Sequence, residues 1–475
     1  MRDGSESRTE SRGRAGAGSQ TRAHARQLDW TLSLLARSIR YLSILSVALL
    51  AIAGCKEGPP DEGRAAGTTR PDSATPLPTG TLIFANRVVA CGAPGRPDCS
   101  EVKDRNLELW RLDLAGGKTG APARLTSNSN GRPDDPTCRD ADDDLFLATS
   151  PDGTTVFVLN RLDGDDDIYA LPVSGGEARN LTANTVDDAY VGLSPDGTRL
   201  FFANRSDGDA DLYAVDPRGG PAQPVLSSTS DEHFLAVAGR RVFYTVLGPD
   251  GRKALLSRPL GGGRSVRLSP EGDEFTSFGA VSTDGGHVFF DARSGNHARV
   301  LAAPADGSGP AVVLSANRDS ALFRLLSPDG KTVVFTANDR PLAGGGAGDV
   351  EIYAVPADGS GAPRLLTAFE NDSYFLPRRF TSDGQALLYE SPVDGDIDIY
   401  RLPLDGGPPT NLTKDSPGTD RLLGVAAGGL LVSRNGGDLG LDDELLFLDS
   451  GGAVFRLTSN DVPDMFCAFL PGGEG

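Results

Sequence analysis

Short apolar runs alternate with polar, glycine-rich turns along almost the whole chain after residue 80. The segment Ser194–Asp216 (SPDGTRLFFANRSDGDADLYAVD) shows the pattern most clearly, as a turn, an apolar run, an acidic turn and a second apolar run. Close relatives of this segment begin at Ser150, Ser327 and Thr381. Self-similarity with a period of about 40–45 residues indicates a repeat fold.

Each repeat has the local chemistry of four short antiparallel strands. In S-P-D-G, Pro suits the second position of a β-turn and Gly the fourth, so the motif is expected to close a hairpin. Arg199–Ala203 and Leu212–Val215 are rich in the residues that buried strands require. Tyr190–Leu193 before the turn and Val225–Ser227 at the end of the unit complete four strands. This is the blade of a β-propeller, so the predicted fold class is all-β.

Two independent markers count the blades. The first is a Gly that opens an apolar strand, at Gly80, Gly153, Gly197, Gly239, Gly285, Gly330, Gly384 and Gly429. The second is a Leu-Thr or Leu-Ser pair that ends the outer strand, at Leu125, Leu181, Leu226, Leu268, Leu314, Leu366, Leu412 and Leu457. The markers alternate without a gap, and each predicts eight blades. Blades 4 and 8 depart from the pattern, because Ala238-Gly239 and Ala427-Gly428-Gly429 replace S-P-D-G.

The two ends of the repeat region complement each other. The first unit lacks an inner strand, since the polar, Pro-rich stretch Lys56–Thr79 precedes it. The last unit is followed by a surplus apolar segment, Met465–Leu470. A C-terminal strand that joins blade 1 would leave no open sheet edge. We therefore predict an eight-bladed ring of four-stranded antiparallel blades, closed in this way. Three insertions, Cys91–Asn106, Ser127–Asp142 and Pro341–Gly348, are expected on one face of the ring.

The charge of the chain limits its partners. The 475 residues carry a formal net charge of −19, of which the first 54 residues contribute eight Arg and four acids, or +4, so the remainder is −23. So acidic a surface argues against nucleic acid and against direct contact with anionic lipid. It favours a basic protein or a cationic ligand as the partner.

The N-terminal region has the order of a bacterial export signal. Arginines precede the apolar run Tyr41–Ala53, whose 13 residues suit a signal-peptide core better than a membrane span. Ile52-Ala53-Gly54-Cys55 resembles the bacterial lipoprotein signal, which implies cleavage before Cys55 and attachment of lipid to it. We therefore assign residues 1–54 to the signal peptide, 55–79 to the lipidated cysteine and a flexible linker, and 80–475 to the propeller. Lys56 occupies the position where Asp would retain a lipoprotein in the inner membrane, which favours the outer membrane.

The combination of S-P-D-G turns, D-G-D-x-D-[IL]-Y strands and Leu-Thr endings resembles the TolB-type, WD-like β-propellers of bacterial envelopes over residues 80–470. The resemblance implies a non-catalytic binding module, and in that family the partner is a peptidoglycan-associated lipoprotein of the Tol–Pal system. This chain departs from the family in its eight blades, its own lipid signal and the lack of a preceding α/β domain. A TolB-like scaffold in the cell envelope, monomeric and attached to the membrane through lipid only, is the function that the sequence predicts.

The acidic turns are the first candidate binding residues. They contain Asp163, Asp165, Asp167, Asp207, Asp209, Asp211, Asp394, Asp396 and Asp398. Asp in such turns ordinarily bonds its own backbone while Gly adopts a positive φ, and a turn that recurs in several blades favours this structural role. The alternative is a Ca²⁺ site, although the Glu that completes an EF-hand loop is missing. No other cofactor and no metal is predicted. The face that carries these turns is expected to attract cations or a basic partner.

The remaining candidate residues favour structure over catalysis. Four cysteines of the exported part, Cys91, Cys99, Cys138 and Cys467, are expected to form disulfides, with Cys91–Cys99 and Cys138–Cys467 the favoured pairing and a Cys₄ zinc site the competitor. The strand tyrosines Tyr169, Tyr213, Tyr353 and Tyr400 share one repeat position, which predicts packing between blades. Asn180 and Asn411 match N-x-T, but they also share one repeat position and are predicted to be structural.

Catalysis has one sequence-based alternative. No G-x-S-x-G motif marks a hydrolase nucleophile. A cluster of His233, His287 and His297 would imitate the metal site of propeller lyases that act on sugar acids. A lyase or hydrolase with its site in the central channel, acting on polysaccharide, is therefore the alternative function.

Overall fold

The computed structural model describes residues 77–87, 107–115, 117–126, 143–161, 164–227, 232–316, 318–338, 350–367, 376–393, 395–414, 416, 418–435, 443–459 and 463–472. The chain divides into two units, Met1–Thr69 and Arg70–Gly475, and all described residues belong to the second. The signal peptide, Cys55 and the three long insertions lie outside the described residues. In the part of the chain that the structure describes, no helix has the length and apolar character needed to cross a membrane.

The described residues form eight antiparallel sheets, which are the blades of the predicted eight-bladed, all-β propeller. The strands of blades 1 to 4 are β1 (Gly80–Arg87), β2 (Leu107–Ala115), β3 (Lys118–Thr119) and β4 (Ala123–Arg124); β5 (Leu145–Thr149), β6 (Thr155–Asn160), β7 (Asp167–Pro172) and β8 (Arg179–Asn180); β9 (Ala189–Leu193), β10 (Leu200–Asn204), β11 (Asp211–Val215) and β12 (Gln223–Leu226); β13 (His233–Ala238), β14 (Arg241–Leu247), β15 (Lys253–Pro259) and β16 (Val266–Arg267).

The strands of blades 5 to 8 are β17 (Glu274–Val281), β18 (His287–Ser294), β19 (His297–Pro304) and β20 (Val312–Val313); β21 (Asp319–Leu326), β22 (Thr332–Asn338), β23 (Val350–Pro356) and β24 (Arg364–Leu365); β25 (Leu376–Phe380), β26 (Ala386–Ser391), β27 (Asp398–Pro403) and β28 (Thr410–Asn411); β29 (Thr419–Ala426), β30 (Gly429–Asn435), β31 (Glu444–Asp449) and β32 (Val454–Arg456). In blades 2 to 8 the four strands pair in chain order. In blade 1, β3 and β4 both pair with β2.

The ring closes at blade 1, as the sequence predicted. The last strand, β33 (Met465–Pro471), pairs antiparallel with β1, so that Thr81 faces Leu470 and Ala85 faces Met465. The backbone N–H of Gly472 donates to the carbonyl of Thr79 at 2.9 Å. Blade 1 therefore takes its inner strand from the C-terminal end of the repeat region, and its sheet has no open inner edge.

The core is distributed over the junctions between blades. Eight buried apolar clusters occur, and each joins residues of two neighbouring blades. The junction of blades 8 and 1 is packed like the others, with Phe447 of blade 8 in one cluster with Leu82 and Phe84 of blade 1. Burial is thus continuous around the ring, and no blade has a complete core without its neighbours.

The S-P-D-G turns form the predicted hairpins through side chains as well as backbone. In blade 2, Ser150 Oγ donates to Asp152 at 2.5 Å and accepts from the N–H of Thr155 at 2.9 Å. The N–H of Thr154 also donates to Asp152, and these bonds hold the pKa of that carboxyl below its usual range. Gly153 has a φ of 68°, which explains the Gly at this position. The same bonds recur in blades 3 and 6, at Asp196 and Asp329.

Candidate functional site

The first strand of each blade forms the inner surface of the ring. These inner strands are β33, β5, β9, β13, β17, β21, β25 and β29, and several of them contact the inner strand of the next blade directly, such as β9 with β13 and β29 with β33. Every inner strand contains a β-bulge at the same point. The bulged residues are Cys467, Leu147, Val191, Leu235, Gly279, Arg324, Arg378 and Leu423. The shared bulge gives the eight inner strands a common geometry at this point, while β17 and β21 each contain a second irregularity nearer their start.

The inner surface is apolar on one side and basic on the other. Arg324 lies in β21, Arg378 and Arg379 in β25, and Arg421 in β29, which are the inner strands of three consecutive blades. We call these four residues the arginine sector. The inner strands of blades 1 to 5 contain no Arg or Lys within their bounds. An aromatic ring precedes the bulge in blades 1 to 6, whereas Pro377 and Leu422 take that position in blades 7 and 8.

Glu390 organises one half of the arginine sector. Its carboxylate lies in β26, is 2% exposed, and accepts the backbone N–H of Leu422 in blade 8 at 2.8 Å. Arg378 donates to the same carboxylate at 2.7 Å, and a guanidinium nitrogen of Arg421 lies 3.8 Å away. One buried carboxylate therefore orients two guanidinium groups that come from the inner strands of neighbouring blades.

Asp291 has the corresponding role between blades 5 and 6. It lies in β18, is 3% exposed, and accepts the backbone N–H of Phe323 at 2.8 Å. Burial raises the pKa of this carboxyl to about 7, and the nearby guanidinium of Arg324 opposes that rise. Arg324 itself donates from Nε to Thr336 at 2.9 Å. Asp291 and Glu390 occupy the same position in their repeats, and each accepts a backbone N–H from the inner strand of the next blade.

The arginine sector has more positive charge than its two carboxylates balance. Arg379 is exposed and donates to the backbone carbonyl of Leu423 at 3.2 Å, while the side chain of Arg421 is 41% exposed. The Arg guanidinium offers a planar fork of donors that fits a carboxylate or a phosphate. Chemically, this surface is therefore suited to hold an anionic group beside apolar side chains.

The acidic turns divide into buried and exposed residues. Asp167, Asp211 and Asp398 are 0%, 2% and 1% exposed, and they begin the third strand of their blades. Thr413 and Asn411 donate to Asp398 at 2.7 and 2.8 Å, and the same bonds link Asn180 and Thr182 to Asp167. These Asp residues, Asn180 and Asn411 are structural, which confirms the interpretation of the N-x-T matches.

The other acidic-turn residues reach the surface. Asp207 is exposed, and Asp165, Asp209 and Asp396 are partly exposed, whereas Asp163 and Asp394 lie outside the described residues. No three His, Cys, Asp or Glu side chains in the described ranges are grouped as metal ligands. The attraction of this face for cations or a basic partner stays a prediction.

The histidines are separated by the topology. His287 begins β18 and pairs with Pro304, while His297 begins β19 and pairs with Ser294. These residues stand at opposite ends of one hairpin, which at about 3.3 Å per residue puts them roughly 23 Å apart. His233 belongs to another blade. The predicted cluster of three histidines therefore does not form.

Cys467 is the only predicted disulfide residue within the described ranges. It lies at the bulge of β33, with Sγ 3.6 Å from the carbonyl of Met465, and burial raises the pKa of its thiol to about 12. Cys467 forms no disulfide with another described residue, while Cys91, Cys99 and Cys138 lie outside them. The disulfide pairing stays a prediction.

The strand tyrosines pack as predicted. Tyr213, Tyr353 and Tyr400 stack on an aromatic ring of the neighbouring strand, with centroids 5.2 to 5.6 Å apart. Tyr353 belongs to the cluster between blades 5 and 6, and Tyr400 to the cluster between blades 6 and 7. They serve the core and do not form an open binding platform.

Comparison with known proteins supports the architecture. No family model matches the chain, and no curated protein matches it. Dipeptidyl peptidase 4 from Porphyromonas gingivalis is 11% identical, with a TM-score of 0.54 over 79% of this chain and 60% of that chain. TolB from Acinetobacter baumannii is 18% identical over 60% of this chain and 63% of that chain, with a TM-score of 0.35. Oligogalacturonate lyase from Vibrio parahaemolyticus is 14% identical over 66% and 87%, with a TM-score of 0.42.

The coverage and sequence identity limit the conclusion that can be drawn from these similarities to the fold. This chain spans less than two thirds of the length of the Acinetobacter TolB and of the dipeptidyl peptidase. Identities below 20% relate the chains by backbone geometry, and folds of this kind host many functions. What the comparison with dipeptidyl peptidase 4 establishes is that the described chain has a β-propeller fold.

Proposed function

We propose that this chain is a lipid-anchored β-propeller of the bacterial cell envelope that binds a partner on the inner surface of its ring, without catalysing a reaction. The observation that carries the proposal is the arginine sector. Four arginines lie on three consecutive inner strands, and the inner strands of the other five blades contain no Arg or Lys within their bounds. Such a surface recognises a partner that presents negative groups together with an apolar part.

The arrangement of the carboxylates supports a binding role. Glu390 is buried and already bonded to the backbone of Leu422, so it fixes the directions of Arg378 and Arg421. Pre-oriented donors lose less conformational freedom when a ligand binds. Arg379 and Arg421 retain exposed donors that the interior does not use. The inner surface thus presents positively charged guanidinium groups in fixed orientations.

The location in the cell is part of the proposal. Cys55 would carry the lipid, residues 56–79 would act as the tether, and Lys56 favours the outer membrane. Replacing Cys55 by Ser should abolish labelling with radioactive palmitate and release the protein from the membrane fraction. Membrane association that persists in the Cys55→Ser chain would contradict the anchor and leave the binding proposal standing.

A second surface of opposite charge fits the same role. Asp207 and its partly exposed neighbours lie on the acidic turns, and they would attract a basic segment of an envelope protein or a cationic ligand. A binding isotherm that does not change with ionic strength would contradict this contribution, because exposed charges are screened by salt.

The test of the central proposal is crosslinked co-purification from intact cells. The double variant Arg379→Gln with Arg421→Gln should lose the captured partner. The matched control, Lys331→Gln with Lys414→Gln, removes two exposed positive charges outside the inner strands and should retain it. An unchanged set of partners in the first variant would show that the arginine sector does not bind them.

An acidic polysaccharide would also be attracted to the arginine sector, which keeps a lyase or hydrolase as the second candidate. Assaying polysaccharide turnover by the wild-type protein and by the Arg379→Gln with Arg421→Gln variant separates the two functions. Turnover by the wild-type protein that falls in this variant would replace the scaffold by an enzyme.

A further inference from the structure

A cavity of about 560 Å³ lies between blades 4 and 5, on the face that carries the turns between first and second strands. Its walls are the turn after β13, the turn after β15, the start of β18 and the residues after β19. This place is separate from the arginine sector, whose residues belong to blades 6 to 8. Cavities of this size accommodate small organic molecules.

The cavity exists because blade 4 departs from the repeat. Its turn has only Gly239 and Arg240, with φ angles of 54° and 63°, where blade 2 has Ser-Pro-Asp-Gly. Between blades 2 and 3, the ring of Pro151 fills the contact, since a Cβ on Gly197 would lie 2.8 Å from it. Between blades 4 and 5 the backbones of Gly239 and Gly285 touch instead, because a Cβ on Gly239 would lie 2.6 Å from the Cα of Gly285. Blade 4 thus lacks the Pro-Asp of the repeat turn, and the cavity lies at this shortened turn.

The cavity is lined by more basic than acidic groups. Arg240, Arg241 and His287 line the cavity with one acid, Asp306, and Asp284 lies behind the wall, close enough to interact with His287. Arg241 is held in place, because its Nε donates to Ser257 at 3.1 Å and Ser257 donates to the carbonyl of Ala305 at 2.5 Å. Hydrogen bonds from Ser308 hold the pKa of Asp306 below its usual range, so this carboxyl stays ionised and is already satisfied.

Arg240 is available to a ligand. Its residue is exposed, and no hydrogen bond or ion pair among the described residues involves its guanidinium. Five glycines also line the cavity, namely Gly239, Gly261, Gly262, Gly285 and Gly286. Walls without side chains leave room for a ligand beside Arg240 and Arg241. The N–H groups of Gly262, Gly285 and Gly286 already donate within the protein, so the arginines are the donors that face the ligand.

We propose that this cavity binds the oxyanion of a small molecule, with Arg240 and Arg241 as its principal donors. The shared chemistry is that of a carboxylate or a phosphate group, both of which match the donor fork of Arg. The site would act independently of the partner bound on the inner surface.

The test uses the folded propeller with two probes, inorganic phosphate and acetate, in thermal unfolding and calorimetry. At least one probe should raise the midpoint of unfolding, and the tighter one identifies the oxyanion class. Arg240→Asn should weaken binding about tenfold, the loss of one charge-assisted contact. Asn tolerates the positive φ of this turn, so the fold should be preserved.

Two controls make the result decisive. Lys331 follows Gly330 in blade 6 as Arg240 follows Gly239 in blade 4, and Lys331→Asn should leave binding unchanged. Replacing Ala238-Gly239 by Ser-Pro-Asp-Gly restores the repeat turn, and it should abolish binding while the unfolding transition remains cooperative. Absence of binding by both probes, or equal binding by the wild-type protein and the Arg240→Asn variant, would overturn the proposal.

Discussion

The inner strands and the three outer strands of each blade follow different rules. In the outer strands the same bonds recur: Thr126 donates to Glu108 at 2.6 Å in blade 1, and Thr413 donates to Asp398 at 2.7 Å in blade 7. The inner strands share a bulge, but their side chains change from aromatic to basic around the ring. The bonds that recur in the outer strands thus stabilise the fold. The side chains that could recognise a partner lie on the inner strands, where the repeats differ.

The two regions are joined by carboxylates of the second strands. Asp291 and Glu390 reach from one blade to the backbone of the next inner strand. The basic residues of the inner surface therefore depend on buried groups that the outer region supplies. Changes in the outer region should affect stability first, and changes at the inner surface should affect binding first.

The largest expected effect comes from removing β33, the inner strand of blade 1, because it also packs against the outer strands of that blade and of blade 8. A chain that ends at Pro463 loses Phe466 and Phe469 from the cluster between blades 8 and 1 and exposes the edge of β1. Removing a fully buried aromatic costs about 3–5 kcal/mol. These two rings are partly buried, and the strand pairing with β1 is lost with them, so the unfolding free energy should fall on the order of 5 kcal/mol. A chain that ends at Gly472 keeps β33 and is the control. Equal thermal stability of the two chains would contradict the closure.

A smaller effect is expected from a buried carboxylate of the outer strands. Asp398→Ala leaves Thr413 and Asn411 without their acceptor in the interior and should cost about 2–4 kcal/mol. The control is Asp396→Ala, which changes a partly exposed residue of the same turn and should stay within about 0.5 kcal/mol. Urea unfolding measures both. Similar losses in the two variants would mean that the turn acts as a unit.

Stability should also depend on pH through buried carboxyls next to the inner strands. Burial raises the pKa of Asp144 and Asp291 to about 7 and that of Asp188 to about 6. A raised pKa gives stability that is present at low pH and lost as pH rises through the folded-state value. Between pH 5.5 and 8, Asp291 alone should account for about 1–2 kcal/mol of lost unfolding free energy.

Asp291→Asn is the matched variant for this pH effect, because its amide oxygen can still accept the N–H of Phe323. Urea unfolding at several pH values should show a flatter profile for the variant than for the wild-type protein. Parallel profiles would assign the pH dependence to other groups.

The smallest effect on stability is expected at the arginine sector itself. Arg379→Gln removes one exposed bond to a backbone carbonyl and should change the unfolding free energy by no more than about 0.5 kcal/mol. The same variant should reduce partner capture. A large destabilisation would give Arg379 a structural role and weaken the distinction between the two regions.

The repeat chemistry could be predicted from the sequence because it is local. Gly153, Ser150 and Asp152 form one turn from neighbouring residues. The Gly that opens an apolar strand and the Leu-Thr or Leu-Ser ending of each unit were sufficient to count eight blades. The closure by Met465–Leu470 followed from counting strands. These features depend on short segments whose partners lie nearby in the chain or in the same repeat position.

The arginine sector was missed because its members are distant in sequence and follow no fixed motif. Arg324 and Arg378 stand three residues before Ser327 and Thr381, which was the one available signal. Their relation to Glu390 depends on the bulge and on the side chain of another blade, neither of which a periodic pattern reveals. Likewise, Asp167 and Asp398 are buried and bonded to a Thr that follows the fourth strand of the same blade, and Asp211 is buried too, so acidity alone overstated the surface.

The junction at Thr79 and Gly472 has a further consequence for how the molecule can be rearranged. Because these residues are hydrogen-bonded to each other, the two ends of the propeller lie side by side. A circular permutant could link residue 472 to residue 79 and have its new ends in an exposed loop between two blades. Each blade would then be formed by one continuous segment of the chain. A reporter fused after residue 472 would therefore leave the propeller beside residue 79, where the chain enters blade 1.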